Sequence, residues 1–181
     1  FIELRNVGPV ALNLTDLRFT KGVDFDFLGA DITALAPGAY VLIVSNRAAF
    51  EMRYGTGLPV AGEWDPTDKL DNGGERIKLS FGAGDTIRDF IYDDVAPWPI
   101  EPDGAGPSLT LIDPLSVPDH GLPANWQASS GPQGSPGTDD LTGSFADWMA
   151  AQGATDPDAP FGSSSLSNLL AFTVGADLTP T

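Results

Sequence analysis

The chain has 181 residues, with nine Lys and Arg against 25 Asp and Glu and a formal net charge of −16. Such a field repels phosphate backbones and anionic membrane surfaces and gathers cations, so no nucleic-acid partner is expected. Cysteine is absent, which removes disulfides, thiolate nucleophiles and cysteine-based zinc sites, and no apolar run approaches the ~20 residues of a membrane helix, so membrane insertion is not expected either.

Period-two alternation in Ile2-Glu3-Leu4, Leu12-Asn13-Leu14, Leu17-Arg18-Phe19 and Phe25-Asp26-Phe27 predicts four half-buried strands. After a turn at Pro37-Gly38, the continuous apolar run Tyr40 to Val44 predicts a central strand covered on both faces. Arg47 to Tyr54 then reads as one short helix, with Phe50 and Tyr54 on a shared face and Gly55 as the stop, plugging one end of the domain. Ile77 to Phe81, Thr86 to Tyr92 and Ser108 to Ile112 supply further strands between turns such as Asn72-Gly73-Gly74 and Asp103-Gly104. Seven or more short strands at this spacing predict an all-β, immunoglobulin-like antiparallel β-sandwich.

From Gly131 to Asp140 the composition turns to Gly, Pro, Ser, Thr and Asp, which reads as a linker or final loop. The expected organisation is therefore a sandwich over 1–137 and, over 138–181, a linker with a small helical tail. In that tail Ser144 can cap a helix carrying Phe145, Trp148 and Met149 on one face, and Ser165 another carrying Leu166, Leu169, Leu170 and Val174.

In order along the chain come Phe1-Ile2-Glu3-Leu4-Arg5-Asn6, Leu14-Thr15-Asp16-Leu17-Arg18-Phe19 and Leu35-Ala36-Pro37-Gly38-Ala39-Tyr40. They are followed by Leu70-Asp71-Asn72-Gly73-Gly74-Glu75-Arg76-Ile77-Lys78-Leu79, Ala96-Pro97-Trp98-Pro99, Ser108-Leu109-Thr110-Leu111-Ile112-Asp113 and Asn125-Trp126-Gln127-Ala128-Ser129. Together these segments resemble the bacterial lamin tail domain family over about the first three quarters of the chain. The resemblance implies an immunoglobulin-like sandwich in a secreted or cell-surface protein, with neighbouring domains in a longer parent chain and Trp98 and Trp126 as packing residues. Members usually carry an apolar strand before the Ile-Glu-Leu segment, and here a first strand is expected to be missing. The stretch Asp156-Pro157-Asp158 with Leu166-Ser167-Asn168-Leu169-Leu170 is similar to a C-terminal pattern of secreted bacterial proteins.

Catalytic clusters are scarce. The single histidine, His120, lies in Pro118-Asp119-His120-Gly121 without a nucleophile elbow elsewhere, and reads as a loop residue. Asp93 and Asp94 beside Trp98 suggest a carboxylate hydrolase, but adjacent strand residues point to opposite faces, so the pair reads first as a turn whose carboxylates accept backbone N–H groups. Calcium is the one cofactor in view. Asp65, Asp68 and Asp71 recur every three residues in a loop, and Asp156 and Asp158 begin a second acidic loop; hard oxygen donors on flexible backbone suit that ion. Trp64, and with it Trp98, could present a ring to a sugar, although a large aromatic in a long loop more often anchors that loop to the domain. Asn13-Leu14-Thr15 matches a glycosylation sequon within a strand pattern and is set aside. The reading is a non-enzymatic binding or spacer module with a protein or glycan partner. The alternatives are a carbohydrate-binding module and a carboxylate hydrolase.

Overall fold

A computed structural model describes residues 1–140, 155, 156, 158–160 and 167. The chain divides into a unit Phe1–Asp140 and a unit Leu141–Thr181. The helix expected over 144–149, and that over 165–174 apart from Ser167, lie outside the described residues. Within the second unit, the Ala159 amide donates to the Asp156 carbonyl (3.3 Å) and Pro160 forms an antiparallel bridge with Ser167.

In chain order the first unit contains β1 (Ile2–Arg5), β2 (Leu12–Asn13), β3 (Leu17–Lys21), β4 (Phe25–Asp26), β5 (Ala34–Leu35), β6 (Tyr40–Val44), helix α1 (Arg47–Tyr54), β7 (Val60–Glu63), β8 (Glu75–Phe81), β9 (Asp85–Tyr92), β10 (Leu109–Leu111) and β11 (Trp126–Ala128). They form a three-stranded sheet β1-β6-β7, a four-stranded sheet β4-β3-β8-β9, and the pairs β2-β5 and β10-β11. Among the described residues the regular structure of the unit is thus mostly strand, with one short α-helix. Its two larger sheets face each other across an apolar core, as in a β-sandwich.

The core is built by alternation. Val41 and Ile43 of β6 point inward with Ile2 and Leu4 of β1, meeting Phe19, Phe25, Ile77 and Leu79 from the opposite sheet around Leu14, Phe27 and Leu35. The other face of β6 is also covered: Leu42 and Val44 pack with Val60, Phe50, Tyr54, Leu58 and Phe1 in a second cluster. There Phe1 meets Phe50 and Tyr54 edge-on, with ring centroids 5.6 and 5.8 Å apart. The run Tyr40–Val44 has no polar position to turn outward, and the fold supplies an apolar layer on each side.

Helix α1 spans the expected residues, and its ends show why. Asn46 adopts extended backbone and its Oδ1 accepts the Ala49 amide (2.8 Å), while Gly55, at φ 85°, donates its amide to the Glu51 carbonyl (2.9 Å). The helix does not plug an end of the sandwich; through Phe50 and Tyr54 it covers the outer face of the three-stranded sheet. It also makes the crossover between β6 and β7, which pair in parallel. The expectation of an antiparallel sandwich is corrected at this pair, because parallel neighbours need a long crossover and residues 45–59 provide one. Strands β5, β7 and β11 had no alternation to announce them. In β7, Val60-Ala61-Gly62-Glu63, the glycine is required because a Cβ there would lie 2.8 Å from the Phe25 ring.

One buried polar residue ties the turns at the end of β1 together. Asn6 is 1% exposed; its Nδ2 donates to the carbonyls of Val10 (2.8 Å) and Leu35 (2.9 Å), and its Oδ1 accepts the Gly8 amide (2.9 Å). Its backbone bonds Ala39 and Gly38. Replacement by Ala strips these carbonyls of their donor without admitting water freely, so Asn6→Ala is expected to cost about 2–4 kcal/mol in denaturant unfolding. A loss below about 0.5 kcal/mol would show that the knot is not structural.

Candidate functional site

Trp64 does not form a surface platform. It follows β7 directly, its amide donates to the Val44 carbonyl (3.1 Å), its ring is 4% exposed within the main core, and its Nε1 donates to the Asp68 carbonyl (3.3 Å). A ring enclosed in this way has no face left for a sugar, which removes the ligand-binding reading of Trp64. The three acids after it are loop builders. Asp65 Oδ1 accepts the amide and hydroxyl of Thr67 (2.8 and 2.6 Å), which holds its carboxyl below the usual range. Asp68 Oδ2 accepts the Asp24 amide (2.7 Å), and Asp71 Oδ1 accepts the Gly73 amide (2.9 Å). Each carboxylate faces its own backbone partner. Among the described residues no three acidic or imidazole side chains converge as a metal site needs. Asp156 Oδ1 likewise accepts the Asp158 amide (2.9 Å).

Trp98 is 8% exposed, so it too is withdrawn from a solvent-facing platform. Its ring packs on Trp126 (6.1 Å), which stacks on Phe90 of β9 (5.5 Å, 28°) and meets His120 edge-on (5.7 Å). This is a small second core under the β10-β11 hairpin. His120 belongs to it: Nδ1 lies 2.8 Å from the Pro118 carbonyl, Trp126 Nε1 donates to the His120 carbonyl (2.8 Å), and burial pushes the imidazole value down. Asp93 Oδ1 accepts the amides of Asp94 (2.8 Å) and Val95 (3.2 Å), the turn read from the sequence. Asp94 is raised, first by a side-chain hydrogen bond with Asp93, then by burial and the nearby Asp103 charge.

The most connected polar site lies elsewhere, where residues 130–140 return across the outer face of the three-stranded sheet. Tyr54 donates its hydroxyl to the Gln133 carbonyl (2.8 Å), the Gly137 amide donates to Glu3 Oε2 (2.5 Å), and Asp139 takes both Arg5 (2.5 and 3.3 Å) and the Tyr40 hydroxyl (2.5 Å). Asp140 closes the segment on itself by accepting from the Ser130 amide (3.0 Å) and the hydroxyls of Ser130 and Ser135. Gly137, at φ 85°, holds a backbone conformation that favours glycine, and an added Cβ would crowd the end of the Leu58 side chain at 3.0 Å. Since Glu3 is opposite Leu42 and Arg5 opposite Tyr40 in the β1-β6 register, the strap continues the layer begun by α1. The sequence reads as a linker or final loop here, and the structure shows a loop anchored to the sheet as a strap.

Sequence reasoning passed over Glu3, Arg5, Tyr40 and Asp139. Glu3 and Arg5 read as the polar half of an alternating strand, and no local signal links them to Asp139, 134 residues after Arg5. Under the strap, burial pushes Glu3 up to about 7, with the Asp139 charge adding and the Gly137 amide and Arg5 opposing. Burial, then the bond to Asp139, pushes the Tyr40 phenol up. Compared with family models, curated proteins and solved structures, the chain matches none.

Because the folded value of Glu3 lies above its ordinary 4.5, the fold favours the neutral carboxyl. That contribution is fully present below about 4.5 and is lost as pH rises through about 7. His120 acts in the opposite sense, its lowered value favouring the neutral ring and costing stability as pH falls. Subtraction isolates Glu3: the stability of Glu3→Gln minus that of the native chain is expected to grow between pH 4.5 and 7, then level at about 1–2 kcal/mol after allowance for solvent screening. Parallel stability curves for the two proteins would contradict the buried-carboxyl account.

Proposed function

We propose that the Phe1–Asp140 unit is a non-catalytic, immunoglobulin-like accessory module of a larger secreted or cell-surface protein. It serves to set the direction in which the chain leaves the sandwich and to offer a rigid scaffold for protein contact. The observation that carries the reading is the strap: a flexible tether needs no Arg5 and Tyr40 converging on Asp139, nor a glycine fitted against Leu58. Holding residues 130–140 on the sheet replaces a swivel by a fixed exit, which lowers the entropy lost when a neighbour or partner engages. The order of lamin-tail-like segments supports the same role, and the enclosure of Trp64 and Trp98 turns it from glycan towards protein.

The absence of native cysteine makes the test direct. Spin labels on Met52→Cys, at an 87% exposed position of α1, and on Thr138→Cys, in the strap, are expected to give a single narrow distance distribution. Asp139→Ala is expected to broaden it while the sandwich stays folded. An equally broad distribution in both proteins would overturn the fixed-exit reading.

A further inference from the structure

The loop between β10 and β11 exposes four apolar residues within a short span: Ile112 (47%), Leu115 (62%), Val117 (54%) and Leu122 (52%). On the preceding loop, Val95 and Ile100 are each more than half exposed. Single exposed aliphatics are ordinary, but a run of this density on one loop is what interaction surfaces show. The two loops are tied together beneath by Trp98 against Trp126, with Trp126 bonded to the His120 carbonyl.

The apolar loop is held in shape by its polar groups. Asp113 Oδ1 accepts the amides of Leu115 (3.1 Å) and Ser116 (3.3 Å), Asp119 Oδ1 accepts that of Gly121 (2.8 Å), and Asn125 Nδ2 donates to the Asp119 carbonyl (2.7 Å). Polar atoms thus serve the loop while aliphatic side chains are left to solvent. Val117 lies in the left-handed region, φ 52° and ψ 54°, a conformation a β-branched residue rarely holds and that costs about 1–3 kcal/mol. Such a cost is retained where a side chain must be presented in a set direction.

Charge selects the occupant. All nine Lys and Arg residues lie between Arg5 and Arg88; none follows, whereas six acids fall between Asp93 and Asp119. The two loops therefore carry acids and no Lys or Arg, although Arg88 of β9 lies near enough to His120 for its charge to be felt there. A second copy of the chain would bring the same acids against the apolar patch, whereas a segment that alternates basic and apolar residues satisfies both features at once.

We propose that loops 93–104 and 112–122 form a docking surface for a basic, apolar-bearing polypeptide segment of a partner protein. The proposal rests on the binding-module reading and adds its surface and the chemistry of its partner. Aliphatic anchors supply the contact area, and the acids supply attraction and orientation.

The probe is a short synthetic peptide of alternating Leu and Lys, titrated into the nitrogen-15-labelled full chain. The expected result is saturable binding that weakens with salt, with amide shifts confined to residues 93–104 and 112–126. Leu115→Ser with Leu122→Ser is expected to weaken it roughly tenfold, Glu101→Gln with Asp103→Asn to weaken it and flatten its salt dependence, and Met52→Ser to leave it unchanged. Shifts scattered over the whole molecule, equal weakening by Met52→Ser, or no binding would overturn the proposal, as would a dimer abolished by Leu115→Ser. If the peptide fails while the label at position 138 keeps its narrow distance distribution, this surface is lost and the fixed-exit module stands.

Discussion

Everything in the Phe1–Asp140 unit is arranged around a strand that has no side for water. Tyr40 to Val44 alternate into two apolar layers: Val41 and Ile43 into the sandwich core, Leu42 and Val44 into the cluster beneath α1. A strand half-buried in an ordinary sandwich would tolerate a solvated outer face. This one demands a third layer, and burial of four aliphatic side chains at about 1.5–3 kcal/mol each is the return that holds that layer in place. Helix α1 covers the Val44 end, and the strap covers the end where Glu3, Arg5 and Tyr40 lie, so the parallel β6-β7 crossover and the anchored exit answer the same constraint.

The layer under the strap is the polar part of that solution, and its chemistry explains its character. Glu3 is desolvated there and Arg5 is shared between Asp139 and the Tyr40 ring, whose centroid lies 5.1 Å from the guanidinium carbon. Arg5 Nε is buried without a hydrogen-bond partner among the described residues. Such a site gives a directional, charge-dependent hold, where the α1 side gives a larger and less specific hydrophobic one.

What could be read from the sequence follows the range over which each signal acts. The strand Tyr40–Val44 and helix α1 were legible because their causes are local: an unbroken apolar run, paired aromatics at i and i+4, and a glycine stop; the Asn46 cap is equally local and was not used. Asp93 was legible as a turn residue for the same reason. The strap was not, since Gly, Pro, Ser, Thr and Asp announce a linker whether or not a partner waits over 130 residues away. Trp64 was open between a solvent-facing ring and a loop anchor because a lone aromatic after a Gly-containing segment has no periodicity to mark it as core, and β7 carries it inward as an anchor. The acidic triplet Asp65, Asp68 and Asp71 suggested a cation from spacing alone; in the structure one oxygen of each takes a different backbone amide, at i+2 for Asp65 and Asp71 but 44 residues away, at Asp24, for Asp68.

Native-state hydrogen exchange resolved by residue tests the central claim most directly, because it reports how much of the fold must open before a given amide is exposed. If β6 is locked between two layers, the amides of Val41 to Val44 should exchange only through global unfolding and be among the slowest in the chain, well behind those of the edge strand β9. Exchange of the β6 amides by local opening, at rates comparable to β9, would mean that the helix and strap merely rest on the sheet, and the account built on this strand would fail.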